Sequence, residues 1–545
     1  MSRGRVVRRP PGFGGTLAAT LFACASLTPS LLPRTWLLQG VMGAVTGIIG
    51  YGVGATLGAL GRSAIAYRPP ERARGIAWRV MIGLCAALTA VTLWYSVDWQ
   101  RDLRELMGMD TRITWYRPVI LAVTVALFAV FLLLARCVRL AGRALIGWLD
   151  RFVPFYVGHV VGVVAITLAV TVFANDVVFS AFIARMSDVS SVTNRGTYPG
   201  VRPPGSPQLS GGPGSYVSWQ SLGREGRLFT GTATSAAKLR AFSGRRPEQP
   251  IRVYVGLDAA ATPQAQAALA VKELERAGAF ERPVLAVLGT TGTGWVDQHI
   301  ADALEYMYNG ASAMVAVQYS YLPSWVSFLV DREKAAATGR ALFEAVRARW
   351  ALLPPGRRPR LVVSGESLGS YEMEHAFRDL ADLVNRADGA LFVGPPNANG
   401  IWRALTYGRD PGSPVWRPVH DAGRTARFAQ GPGDLAAPGG PWPRPRVVYL
   451  QNASDPVVWL SPSLLFGKPP WLSGERGPDV NPQMSWFPLV TFWQVLVDMA
   501  SALSVPSGHG HRYGGNIADG WAAVAPPPGW TAADTARLRA LLSGL

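Results

Sequence analysis

A serine with a glycine two residues to either side, Gly365-Glu366-Ser367-Leu368-Gly369, is the grouping whose residue types and spacing point most directly to chemistry. The string alone is weak, because a chain with 59 glycines generates such matches by chance. Its surroundings strengthen it. Leu361-Val362-Val363-Ser364 has the pattern of a short buried strand and residues 368–385 that of a helix, so the serine falls at a sharp strand-to-helix turn. Glycines permit a strained turn there, and the start of a helix offers backbone N–H groups to a developing oxyanion.

A serine hydroxyl attacks a carbonyl only when a base takes its proton. The chain has six histidines. His159 lies in an apolar run, His299 in an expected helix, His375 about two helical turns beyond the serine, and His420 in an irregular Pro/Gly-rich stretch. His509 and His511 remain, in Gly508-His509-Gly510-His511. The Gly-x-Gly that precedes His511 favours it as the base, with His509 as the alternative. A metal site at this His-x-His pair would need further ligands that the sequence does not offer, and neither a metal nor a cofactor is expected.

The base in turn needs a carboxylate to hold its tautomer. The apolar run at 446–450 is followed by Asp455, whereas the preceding one ends in Gly394-Pro395-Pro396-Asn397 with no acid. Ser367, Asp455 and His511 then stand in the chain order of serine hydrolases built on a parallel sheet. Capping of the turn that follows is the competing role for Asp455. The oxyanion hole is expected to pair the N–H of Leu368 with that of Thr291 or Thr290, in Gly289-Thr290-Thr291-Gly292-Thr293-Gly294. This glycine-rich run lacks the Lys-Ser/Thr pair of a nucleotide phosphate loop.

Short β-branched runs at 252–256, 284–288, 313–317, 361–364, 390–393 and 447–450 alternate with amphipathic stretches. Alternation of this kind predicts a mostly parallel sheet covered by helices, with reactive groups beyond the strand C-termini. Two long irregular insertions, 397–444 and 461–486, have the character of lids or pocket walls. Before the sheet, residues 186–216 are rich in Pro, Gly and Ser and read as a spacer.

The first third has another character. Five segments, at about 14–33, 37–60, 80–97, 119–135 and 154–174, are long and apolar enough to cross a bilayer. Arginines cluster in the N-terminal tail (Arg3, Arg5, Arg8, Arg9), after the second segment (Arg62, Arg68, Arg72, Arg74, Arg79) and after the fourth (Arg136, Arg139, Arg143, Arg151). Those connections belong on the cytoplasmic side, so five spans carry the remainder out of the cytoplasm. Pro29, Pro33 and the run Ala23-Cys24-Ala25 make a cleaved signal peptide the competing reading of the first segment. Gly43, Gly47, Gly50, Gly54 and Gly58 give the second span a face for close helix packing, within the bundle or in self-association. The net charge of +18 comes from scattered or span-flanking arginines rather than a basic stripe, which argues against nucleic acid as a partner. The three cysteines, Cys24, Cys85 and Cys137, sit in or beside apolar segments and offer no disulfide framework.

Several longer strings resemble one known group: Ser26-Leu27-Thr28-Pro29-Ser30-Leu31-Leu32-Pro33-Arg34, Thr291-Gly292-Thr293-Gly294-Trp295, Gln318-Tyr319-Ser320-Tyr321-Leu322-Pro323-Ser324, Gly365-Glu366-Ser367-Leu368-Gly369 and Gly508-His509-Gly510-His511. The chain is similar over nearly its whole length to the actinobacterial membrane-associated α/β-hydrolase family. The resemblance implies a multi-span membrane domain followed by an α/β-hydrolase domain, and a serine-hydrolase reaction class without a defined substrate. The chain departs from a standard hydrolase in its last strand before the histidine, which is reduced to Leu503-Ser504-Val505.

The expected architecture is therefore an α-helical transmembrane bundle of about five spans in 1–185, a linker in 186–216, and an α/β-hydrolase domain in 217–545. The expected partners are membrane lipids and an acyl ester or thioester of unspecified identity. A lipid-handling or transport protein with a non-catalytic, hydrolase-like binding domain is the alternative. The spans lack the paired charges of ion-coupled carriers, which weighs against transport.

Overall fold

The computed structural model describes residues 11–64, 70–114, 116–149 and 179–544. The chain forms two compact units, one of residues 1–182, 460–473 and 479–505, the other of 183–459, 474–478 and 506–545.

The first unit contains α1 (Phe13–Ser26), α2 (Trp36–Ala64), α3 (Glu71–Leu106) and α4 (Tyr116–Leu149). Among the described residues, Trp36–Ala64, Glu71–Leu106 and Tyr116–Ala144 are long and apolar enough to cross a membrane, and α1 is apolar but shorter. The expected fifth span, 154–174, lies outside the described residues, as does His159. The expected first span, 14–33, is cut short. Its helix ends at Ser26, ahead of two prolines that have no N–H to continue it. The glycine face of α2 is occupied inside this unit. A Cβ on Gly54 would come within 2.1 Å of Gly14 O of α1, and one on Gly40 within 2.6 Å of Val123 of α4.

Arg34, just after the expected first span, is fully buried. Its Nε donates to Asp498 Oδ1 at 2.7 Å, and Asp498 Oδ2 accepts from the Leu31 N–H at 3.1 Å and from the Ser30 hydroxyl. Arg34 also donates to Gln39 Oε1 and to the Gln494 carbonyl. Asp498 ends the helix Val490–Asp498, in a stretch expected to belong to the hydrolase domain. The structure corrects that boundary. Most of residues 460–505 belong to the helical unit, and there the buried Asp498 carboxylate finds its several donors around Pro33.

In the second unit the expected spacer is also built structure. Helix α5 (Ser180–Arg195) runs through its start, and Leu209 bridges to Arg252. Ser210 Oγ then accepts from the Tyr254 N–H. Seven strands follow: β1 (Ile251–Val255), β2 (Val284–Leu288), β3 (Ser312–Val317), β4 (Arg360–Glu366), β5 (Gly389–Val393), β6 (Ala426–Ala429) and β7 (Arg446–Leu450). Their order is β1-β3-β2-β4-β5-β7-β6, with every neighbouring pair parallel. The strands are short and almost wholly buried, as expected of a sheet covered on both faces. Helices α6 (Pro263–Ala277), α7 (Gln298–Met307), α8 (Arg332–Ala351), α9 (Leu368–Glu374) and α10 (Ile517–Val524) belong to this unit. Thr262 caps α6 ahead of Pro263, and Gly278 ends it in the left-handed conformation. No strand forms at 503–505. The edge place beside β7 is taken by β6, which comes from the 397–444 insertion.

Candidate active site

Ser367 joins β4 to α9 with φ 54° and ψ −124°, a conformation that costs a non-glycine residue energy and persists only where its surroundings enforce it. Three glycines do so. A Cβ on Gly365 would lie 2.3 Å from Gly369 C and O, and one on Gly289, at the end of β2, 2.0 Å from Gly369 O. The first turn of α9 thus rests directly on the ends of β2 and β4, which explains the two glycines that flank the serine. The Ser367 N–H donates to Val393 O at 2.9 Å and ties the turn to the end of β5. Within residues 361–374 only Ser367 escapes burial.

Asp455 follows β7 and is fully buried. Its Oδ2 accepts from His511 Nδ1 at 2.7 Å and from the Tyr513 hydroxyl at 2.6 Å, while Oδ1 accepts from the Val457 N–H at 2.8 Å. The capping role considered for Asp455 is therefore filled by the oxygen that His511 does not use. Burial, and then Asp455 itself, push the Tyr513 phenol well above its usual range, so it remains a donor. The His511 loop is pinned by further contacts. Asn452 Nδ2 donates to Gly510 O at 2.9 Å, and the Gly510 N–H donates to Ser454 Oγ at 2.9 Å. His509 sits on the outer limb of that loop, partly exposed and bridged to Arg512.

The His511 ring is brought to the serine turn from two sides. Gly394, just after β5 and at φ +53°, lies under it, and a Cβ there would be 2.4 Å from His511 Cε1. His511 Nε2 is buried without a hydrogen-bond partner among the described residues and stands 3.9 Å from Glu366 Oε1, on the residue before Ser367. Glu366 and Asp297 are buried carboxyls close enough to act on one another. Burial, then the Asp297 and Asp455 charges, hold Glu366 well above the usual carboxylate range. Burial alone would raise Asp297 too, but hydrogen bonds from His299 and Glu366 outweigh it and bring Asp297 below its ordinary value.

The expected oxyanion donors need correction. The N–H of Leu368, at the start of α9, has no acceptor among the described residues. The Thr290 N–H donates to Glu372 Oε2 at 2.7 Å and the Thr291 N–H to Trp295 O at 2.8 Å, so neither is open to a substrate oxygen. The Thr291 hydroxyl, 3.3 Å from that of Thr293, is the remaining polar group of that residue.

Asn452, Ser454, Tyr513, Gly394, Glu366 and Asp297 were not singled out from the sequence. A partial signal existed for two of them, in the polar run Gln451-Asn452-Ala453-Ser454-Asp455 that breaks off the β7 apolar stretch.

No curated protein and no solved structure matches the chain. One family model, described as an alpha/beta-hydrolase family, matches residues 251–538, and the model of that family's N-terminus matches 27–233. With a parallel seven-stranded sheet, a strained serine at the end of its fourth strand and family matches over both parts, the chain belongs to this alpha/beta-hydrolase family.

Proposed function

We propose that the protein is a membrane-anchored serine hydrolase in which Ser367 attacks an acyl ester or thioester, His511 takes the serine proton and Asp455 holds His511. The observation that carries this reading is the 2.7 Å bond from His511 Nδ1 to Asp455 Oδ2. With Nδ1–H donated to Asp455, the lone pair lies on Nε2, which stands 3.9 Å from Glu366 Oε1 on the residue before Ser367. Ser367 Oγ then bonds to the acyl carbon as its proton passes to Nε2, and the carbonyl electrons move onto oxygen. The Leu368 N–H stabilises that oxyanion, and the Thr291 hydroxyl is the candidate second donor. The imidazolium gives its proton to the departing alcohol or thiol, leaving an acyl-serine that water cleaves by the same steps, or that a second alcohol takes over.

Three apolar helices of spanning length support a membrane anchor. The arginine distribution favours a catalytic unit outside the cytoplasm, and a lipid-like acyl group is the substrate class such a tether would serve.

A fluorophosphonate probe, which phosphonylates activated serines, tests the reading on the full chain in membranes. Wild type is expected to be labelled and Ser367→Ala to lose labelling entirely. Absent labelling of wild type, which is what a non-catalytic lipid-handling role requires, or equal labelling of both overturns it.

A further inference from the structure

That chemistry leaves a buried carboxyl beside it unused. Glu366 Oε1 stands 3.9 Å from His511 Nε2, and Glu366 Oε2 is buried without a hydrogen-bond partner among the described residues. Its contact with Asp297 joins two carboxyls, which attract only while one keeps a proton and repel when both are ionised. The surroundings decide which one keeps it. Asp297 caps α7, where the helix N-terminus favours negative charge, and its Oδ1 accepts from the His299 N–H at 2.7 Å and from His299 Nδ1 at 3.0 Å. Glu366 pairs with no Lys or Arg among the described residues and faces Asp455 as a second acid. The groups around Glu366 are thus Asp297 from the segment before α7, Asp455 after β7, and His511 and Tyr513 from the loop before α10. His299, with Asp302 and Arg512 near it, acts one step further out through Asp297.

We propose that Glu366 is a positioning residue: a carboxylic acid kept neutral by donating its proton to Asp297, which leaves His511 Nε2 free to accept the proton of Ser367. An ionised Glu366 would hold the ring as a cation and compete with the serine for Nε2. It would also set a negative charge beside the site where an oxyanion must form. The inference rests on the assignment of Ser367, His511 and Asp455 made above.

The test is the rate at which a fluorophosphonate labels the full chain in detergent, followed from about pH 6 to pH 10, for wild type, Glu366→Gln and Asp297→Asn. Gln at 366 cannot ionise, so its labelling is expected to persist to higher pH than that of wild type. Asn at 297 removes the charge that keeps the proton on Glu366, so labelling is expected to fall at a pH lower by about one unit or more. A merely structural role would change rates without moving the two profiles in opposite directions. Profiles of one shape in all three proteins, or the reverse order, overturn the proposal while leaving Ser367 in place. Absent labelling of wild type overturns the assignment beneath it and the proposal together.

Discussion

At the scale of single residues, the hydrolase reading depends on how His511 is held, and the position under its ring offers a sharper probe than the histidine itself. Gly394 has φ +53° and would put a Cβ 2.4 Å from His511 Cε1, so Gly394→Ala must push the ring off its seat or bend the end of β5. The left-handed backbone alone costs alanine about 1 kcal/mol, which a domain of this size tolerates. Displacing a base by a fraction of an ångström is far more damaging to proton transfer, since the reacting groups must stay within hydrogen-bond reach. Gly394→Ala is therefore expected to lower fluorophosphonate labelling by about tenfold or more while the melting temperature drops only a few degrees. Unchanged labelling in a folded Gly394→Ala protein would mean that the His511 ring is not where the chemistry happens.

At the scale of elements, what the sequence made legible and what it hid separate along physical lines. Strands β2, β4, β5 and β7 could be read because burial on both faces writes an unbroken apolar run of a few residues, and the helix after Ser367 could be read because it starts at once. Strand β6, Ala426-Arg427-Phe428-Ala429, is too short and too mixed for such a run and lies among prolines and glycines. Of the expected oxyanion N–H groups that of Leu368 stands open, whereas those of Thr290 and Thr291 are already taken; Glu372, which takes the Thr290 N–H, is 82 residues away. Residues 479–505 were misassigned for a similar reason. Asp498 and Arg34 are 464 residues apart, and nothing in either neighbourhood announces the pair. The pair is nonetheless fully enclosed, with both side chains at 1% exposure or less. Removing one partner leaves an uncompensated buried charge, at a cost of about 3–5 kcal/mol. Asp498→Ala should accordingly lower the melting temperature of the full chain in detergent by several degrees, whereas Asp98→Ala, in an ion pair about half exposed, should hardly move it. Equal melting temperatures for the two variants would show that Asp498 does not anchor its helix.

At the scale of the whole molecule, the path of the chain matters more than the count of its spans. After Asp455 and Trp459 the chain enters the helical unit at 460–473, returns for 474–478, enters again at 479–505, and comes back at Pro506, five residues before His511. The candidate acid and the candidate base are thus separated in sequence by segments whose apolar side chains, among them Trp471, Leu472, Val490 and Val495, are buried. A linear cut between membrane part and hydrolase part severs those segments from α1, α2 and the Arg34 cluster that complete their unit. A polypeptide of residues 183–545 would expose this apolar surface and leave Asp498 without its donors, and contiguous exposed apolar surface drives association in water. It is expected to elute as aggregates in size-exclusion chromatography and to resist fluorophosphonate labelling, even though all seven strands and Ser367 lie within it. The full chain in detergent is expected to be monodisperse and labelled. A soluble, monodisperse 183–545 polypeptide labelled at the rate of the full chain would show that the hydrolase unit stands alone and that the helical unit serves it only as a tether.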